Sequence, residues 1–157
     1  RIPDEKYKEI KEDMEEEGIE VMQADQHFRR DLSRVIKKFG DGWDIIIDDG
    51  SHWNDDIRIS LGYLFKYLKP GGIYVVEDAM WGEVKNEQPR TQTEEVLKIH
   101  PKKHRVPNIG TLSTQWKEAK SFKCPVMKPS EKKYLCDNLS EWNVYNRGNM
   151  NVLMKKK

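Results

Sequence analysis

Apolar Tyr7, Ile10 and Met14 recur at helical spacing among charges and predict an amphipathic helix over residues 4–17. Pro3 near its start and Gly18 past its end punctuate it. Residues 19–25 then alternate apolar and polar, the pattern of a short strand ending in Asp25. Leu32, Val35, Ile36 and Phe39 share one face of a second helix, over about 28–39, that Gly40-Asp41-Gly42 stops. Three consecutive isoleucines, Ile45 to Ile47, predict a strand buried on both faces and running into Asp48 and Asp49. A helix over about 55–68 follows, broken by Lys69-Pro70-Gly71-Gly72. Residues 73–78 form another strand that ends in Glu77 and Asp78. Strand and helix alternate, which argues for an open α/β sheet.

Beyond Asp78 the periodicity weakens. Short helices are expected over 94–99 and 115–120, with Pro101, Pro107 and Gly110 marking a loop between them. Residues 141–146 and 150–154 flank Arg147-Gly148-Asn149 and predict an antiparallel hairpin. The 157 residues suit one domain, with 81–139 as a loop-rich insertion or lid.

Composition narrows the function classes. Charged residues make up 35% of the chain, yet 28 basic and 27 acidic side chains leave a net charge of +1. That balance gives no electrostatic case for nucleic-acid binding. Apolar runs are too short for a transmembrane helix, and no basic segment followed by an apolar one signals secretion. Cys124 and Cys136 have neither a CxxC nor a zinc spacing, so a reduced, cytoplasmic compartment is expected.

The candidate chemistry lies at the strand ends. In open α/β sheets, ligands bind outside the carboxyl ends of the strands. Asp49, His52, Glu77 and Asp78 would share one rim there, because adjacent strands lie about 4.8 Å apart. Crowded carboxylates repel one another, and a hard divalent cation relieves the repulsion. An oxygen-rich set without cysteine favours Mg²⁺, Mn²⁺ or Ca²⁺ over zinc. A histidine beside such a site can serve as a base near neutral pH. Acids at strand ends are equally familiar as helix caps and turn formers, and both readings stand on pattern alone. His100 and His104 are four apart, but Pro101 spoils a helical metal pair. His27 reads as a surface residue rather than a catalytic one. Trp53 and Trp81 flank the two acid clusters and suit either a pocket wall or the core.

Asp-Asp-Gly-Ser-His at 48–52, Leu-Lys-Pro-Gly-Gly at 68–72 and Tyr-Val-Val-Glu-Asp at 74–78 together resemble class I S-adenosylmethionine-dependent methyltransferases. More narrowly, they are similar to the metal-dependent sugar O-methyltransferases that act on macrolides and to the related cephalosporin-hydroxylase-like proteins. The resemblance implies a Rossmann-like, mostly parallel sheet closed by an antiparallel hairpin. It implies Asp49, Glu77 and Asp78 as ligands of Mg²⁺ or Mn²⁺, and His52 as the general base. Asp25 and Gln26, at the end of the strand near the cofactor's adenine, become cofactor-binding candidates. Asp48 joins them, or else orients its neighbours. The cofactor would be S-adenosylmethionine and the acceptor a small molecule or glycan carrying a sugar hydroxyl, with a homo-oligomer as one arrangement. The family's glycine-rich loop after its first strand and its acid after the second have no counterpart here. The expectation is therefore a domain without its first two strands. A different metal enzyme on the same scaffold, and a non-catalytic interaction domain, are the alternatives.

Overall fold

The structure is a computed structural model that describes residues 3–79, 109–145 and 150–157. Helix α1 (Asp4–Glu16) is followed by α2 (Arg29–Phe39), strand β1 (Trp43–Asp48), helix α3 (Asn54–Leu64), a single 3₁₀ turn (Phe65–Tyr67) and strand β2 (Leu68–Val76). Helices α4 (Ile109–Ala119) and α5 (Pro129–Asn138) and strands β3 (Leu139–Tyr145) and β4 (Met150–Lys155) complete it. The four strands form one sheet in the order β1-β2-β4-β3. β1 and β2 are parallel, and β4 runs antiparallel to both β2 and β3.

One face of the sheet builds the core. Ile46, Tyr74, Leu153 and Trp142 stand in register across the four strands, and all are buried. Helix α3 packs on β2 and α4 on β3, while α5 lies against α3 and the 3₁₀ turn; Ile57, Leu61, Leu112, Trp116 and Leu135 are among their buried side chains. Trp142 meets the edge of Phe122 at 5.8 Å between centroids and a tilted Trp116 at 6.5 Å. Its indole N–H donates to Asn151 Oδ1 at 3.2 Å, so the buried ring leaves no donor unpaired.

The expected α/β sheet with its antiparallel hairpin is present. Four local expectations are not met. Residues 19–25 form no strand. Alternation shows that a segment can bury one side, but a strand also needs a ladder partner, and none lies beside it among the described residues. Its backbone is met instead by side chains: Lys38 Nζ donates to Val21 O at 3.0 Å, and Gln23 N donates to the Tyr7 hydroxyl at 3.3 Å. β1 is not buried on both faces, since Ile45 and Ile47 are 59% and 61% exposed among the described residues. Helix α4 starts six residues earlier than the pattern indicates, and α5 was not legible as a helix. The described part of the stretch taken as a loop-rich insertion is thus largely helical. The predicted helix over 94–99, His100, His104, Trp81 and the hairpin turn lie outside the described residues.

Two polar devices fix the layers. Arg29 at the start of α2 donates through Nε and Nη2 to the two carboxylate oxygens of Glu131 on α5, both at 2.6 Å. Nη2 also donates to Val126 O at 2.7 Å, and Glu131 accepts from Lys128 N at 2.8 Å. Burial acts to raise the Glu131 pKa, but the Arg29 hydrogen bond, the Lys128 N–H and the Arg29 charge outweigh it and hold it below the ordinary value. The second device is the Pro70-Gly71-Gly72 turn within β2. Trp43 pairs with Leu68 and Ile45 already with Ile73, so the intervening residues of β2 bulge. A Cβ on Gly72 would sit 3.0 Å from Lys69 O and 3.1 Å from Asp44 O, both backbone atoms with little freedom to yield.

Gly72→Ala is therefore expected to cost about 1–3 kcal/mol, read as a lower urea midpoint at unchanged slope. Glu131→Gln is expected to cost a similar amount, about 1.5–3 kcal/mol at neutral pH. A carboxyl with a depressed folded-state pKa contributes stability above its unfolded pKa and loses it as pH falls through the folded value. The gap between wild type and Glu131→Gln should accordingly close below about pH 4. A gap that persists at low pH contradicts this assignment.

Candidate metal centre

The parallel pair sets the site. β1 ends at Asp48, and Glu77 N donates to Asp48 O at 3.0 Å, so the ladder reaches one residue past β2. Asp49 and Asp78 are thereby carried to the same rim. His52 and Asp78 both adopt positive φ, 59° and 46°. Few non-glycine residues take this conformation, and it persists where the surroundings over-determine it. The result is that one ligand atom each of Asp49, His52 and Asp78 lie within 4.8 Å of one another. His52 Nε2 is 3.9 Å from Asp49 Oδ1, while Nδ1 is buried without a hydrogen-bond partner. The Asp49 side chain is 60% exposed and that of His52 21%, so the group opens to solvent on the Asp49 side.

This donor set fits a cation. Ligands about 2.1 Å from a hard ion stand roughly 3–4 Å from one another, within the spread seen here. Two carboxylates brought together at a rim also supply the charge that such an ion neutralises. Glu77, expected with them, is half-buried beside Asp78 and stands outside this group of three.

Asp48 faces the other way. Successive residues of a strand point to opposite faces, and Asp48 turns inward where Asp49 turns out. Only 9% exposed, it accepts from Tyr74 OH and Gln26 Nε2, each at 3.1 Å, and from Ser60 Oγ. Burial pushes its pKa up, and the hydrogen bonds from Ser60, Tyr74, Gln26 and Gly50 N oppose the rise. The Tyr74 phenol is driven well up by burial and by the neighbouring Asp48 charge. A recess of about 320 Å³ follows this edge of β1, lined by Gln26, Leu32, Ile47, Asp49, Ser60 and Tyr74 among others.

The three cofactor candidates stand in the connection before α2 and at the end of β1. Gln26 directs both ends of its carboxamide into the protein: Nε2 to Asp48, and Oε1 to Ser51 N at 2.8 Å. Asp48 is saturated by internal donors. Asp25 stands in a turn, where Oδ1 accepts from His27 N at 2.9 Å, and it terminates no strand. Internal hydrogen bonds thus engage polar atoms of both Gln26 and Asp48. Sequence reasoning missed Asp56, Ser60 and Tyr74. Asp56 and Ser60 lie one helical turn apart on α3 and are both buried in a helix whose neighbours are mostly apolar. Polar residues on a buried face were the available signal.

No family model matches the chain. Mycinamicin VI 2''-O-methyltransferase of Micromonospora griseorubida is 44% identical over 71 residues, which are 45% of this chain and 17% of that protein. Demethylmacrocin O-methyltransferase of Streptomyces fradiae is 41% identical over 73 residues, 46% of this chain and 18% of the other. The chain thus matches less than a fifth of the length of these relatives. The solved MycE methyltransferase from the mycinamycin pathway, in complex with Mg and SAH, superposes with a TM-score of 0.61 at 26% identity, covering 88% of this chain and 32% of that one. The chain carries a class I methyltransferase fold in part, and it is related in sequence and structure to the macrolide sugar O-methyltransferases.

Proposed function

We propose that this chain supplies the metal-binding and base-bearing part of an enzyme that moves a methyl group from S-adenosylmethionine to a hydroxyl of a sugar or glycosylated metabolite. The observation that carries the reading is the meeting of Asp49, His52 and Asp78 at the ends of two parallel strands. Related proteins support it: MycE has been solved with Mg and SAH, and also with mycinamycin VI.

In this reading Asp49 and Asp78 hold Mg²⁺ or Mn²⁺, and Glu77 lends a further negative charge at the same rim. When bound, such an ion supplies positive charge that favours an ionised acceptor hydroxyl. His52 takes the acceptor's proton at Nε2, the nitrogen on the Asp49 side. Its backbone, at φ 59°, places the ring beside Asp49. Catalysis of methyl transfer then rests on alignment of acceptor and donor and on charge at the attacking oxygen. Asp25, next to Gln26 in the chain, remains the candidate for a cofactor contact. We place the protein in the cytoplasm. No described helix is long and apolar enough to cross a membrane, and the two cysteines are free.

A second reading has its own support. Among the described residues β1 is an edge strand with Ile45 and Ile47 exposed, which suits an interaction domain that adds a strand or a covering layer from a partner.

Calorimetric titration with Mn²⁺ separates the two. Saturable binding is expected for the wild-type chain, weakened more than a hundredfold by Asp49→Ala at unchanged circular dichroism. No wild-type binding would set the metal-centre reading aside in favour of the interaction domain. His52→Ala distinguishes base from ligand: a base leaves Mn²⁺ affinity within about threefold, whereas a ligand loses tenfold or more.

A further inference from the structure

We propose that Gln26, together with the Ser51–Asp56–His27 chain, is a positioning clamp for the turn that bears Asp49 and His52. Gln26 would then act on the metal centre through the backbone of that turn. The inference rests on the metal-centre reading and extends it to residues outside the ligand set.

The turn from Asp48 to Asn54 is gripped at three points. At its start, Gln26 Nε2 donates to Asp48 Oδ1 at 3.1 Å and lies 3.5 Å from Ser60 Oγ. In its middle, Ser51 N donates to Gln26 Oε1 at 2.8 Å. At its exit, Ser51 Oγ donates to Asp56 Oδ2 at 2.6 Å and accepts from Trp53 N at 3.3 Å. Asp56 is held from behind by His27 Nδ1, 2.7 Å from Oδ1. Gly50 completes the fit, because a Cβ there would lie 1.9 Å from Gln26 Oε1. The carboxamide therefore lies against the bare backbone of the turn.

The arrangement has a physical task. His52 sits at φ 59°, a conformation that costs energy and needs surroundings that leave no alternative. Asp49 and Asp78 repel in the absence of a cation, and Asp49 is largely exposed. With nothing behind it, such a turn would relax away from Asp78. Gln26 is suited to hold it because an amide offers a donor and an acceptor at once: one for a carboxylate that only accepts, one for a backbone N–H that only donates. Neither glutamate nor leucine can do both. Partners beyond the ligand shell commonly change metal affinity 10–100-fold.

The test compares Gln26→Leu, Gln26→Glu and the double variant Gln26→Glu/Asp48→Asn in the full chain. Gln26→Leu and Gln26→Glu are expected to weaken Mn²⁺ binding about tenfold or more. The double variant restores a donor–acceptor pair with its sense reversed and is expected to return affinity to within about threefold of wild type. A general loss of stability would not be rescued in that way. Urea midpoints of all four proteins identify any variant that fails to fold, and the comparison then stands on the others. A second readout needs no metal: amide hydrogen exchange at Ser51 and the His52 ring proton shifts. Both should change in the single variants and revert in the double one. Wild-type Mn²⁺ affinity in Gln26→Leu, or no reversion in the double variant, would overturn the clamp. If the wild type binds no Mn²⁺, the function reading fails, and the exchange and shift data decide the clamp independently.

Discussion

The structure around the candidate site depends on one buried carboxylate. Asp48 closes β1 and accepts hydrogen bonds from Tyr74 on β2, Ser60 on α3 and Gln26 in the connection before α2. A charge at 9% exposure is costly unless its lone pairs are met. Meeting them with three elements converts that cost into a demand for one arrangement. If β2 slides, Tyr74 leaves; if α3 rotates, Ser60 leaves; if the connection lifts, Gln26 leaves. Hydrophobic contacts among Ile57, Leu61 and Trp142 would tolerate each of these shifts far better, because apolar packing is not directional. The raised Asp48 pKa is the trace of the same conflict between burial and hydrogen bonding.

This node explains how residues distant in sequence come to share a rim. His52 and Asp78 lie on opposite sides of α3 in the chain. The parallel pairing of β1 with β2, Ile47 to Val75 and Asp48 to Val76, brings the two strand ends level. The bulge at Pro70-Gly71-Gly72 adjusts the register upstream so that the ends coincide. Register is a discrete variable: a slip by one residue would turn Asp48 outward and Asp49 inward, and the site would be lost. The geometry of the centre is thus inherited from sheet pairing, and the clamp from Gln26 acts only on the last few residues.

Much of this is legible in the sequence, and the parts that are not share a cause. The isoleucines of β1, the Gly-Gly turn and the acids after β1 and β2 are local signals, and each marks a local element of the structure. The strand expected at 19–25 failed because its alternation carried no information about a neighbour. The double burial of β1 failed likewise: an apolar run announces that faces could be covered, not that both are. α5 was unreadable because its apolar content is thin, with Leu135 its one fully buried side chain. It is fastened instead by a charge pair to Arg29, roughly a hundred residues away in sequence. The sequence marks Gln26 and Asp48 but not their pairing, since hydrogen bonding between distant polar residues leaves no periodic trace.

The paired acids at 48 and 49 show why composition alone cannot assign roles. Two identical side chains, adjacent in sequence, have opposite environments because the strand alternates its faces. One is buried, saturated with neutral donors and turned toward α3. The other is exposed, close to His52, and free to meet a cation. Neither could perform the other's part: an aspartate at 49 with buried partners would offer no open lone pair, and one at 48 without them would not remain buried. The turn that follows needs both, the inner acid to fix its root and the outer acid to give it a charge to present. The metal centre proposed above is accordingly built from the inside outward, with the position of Asp49 set by how completely its buried neighbour Asp48 is satisfied.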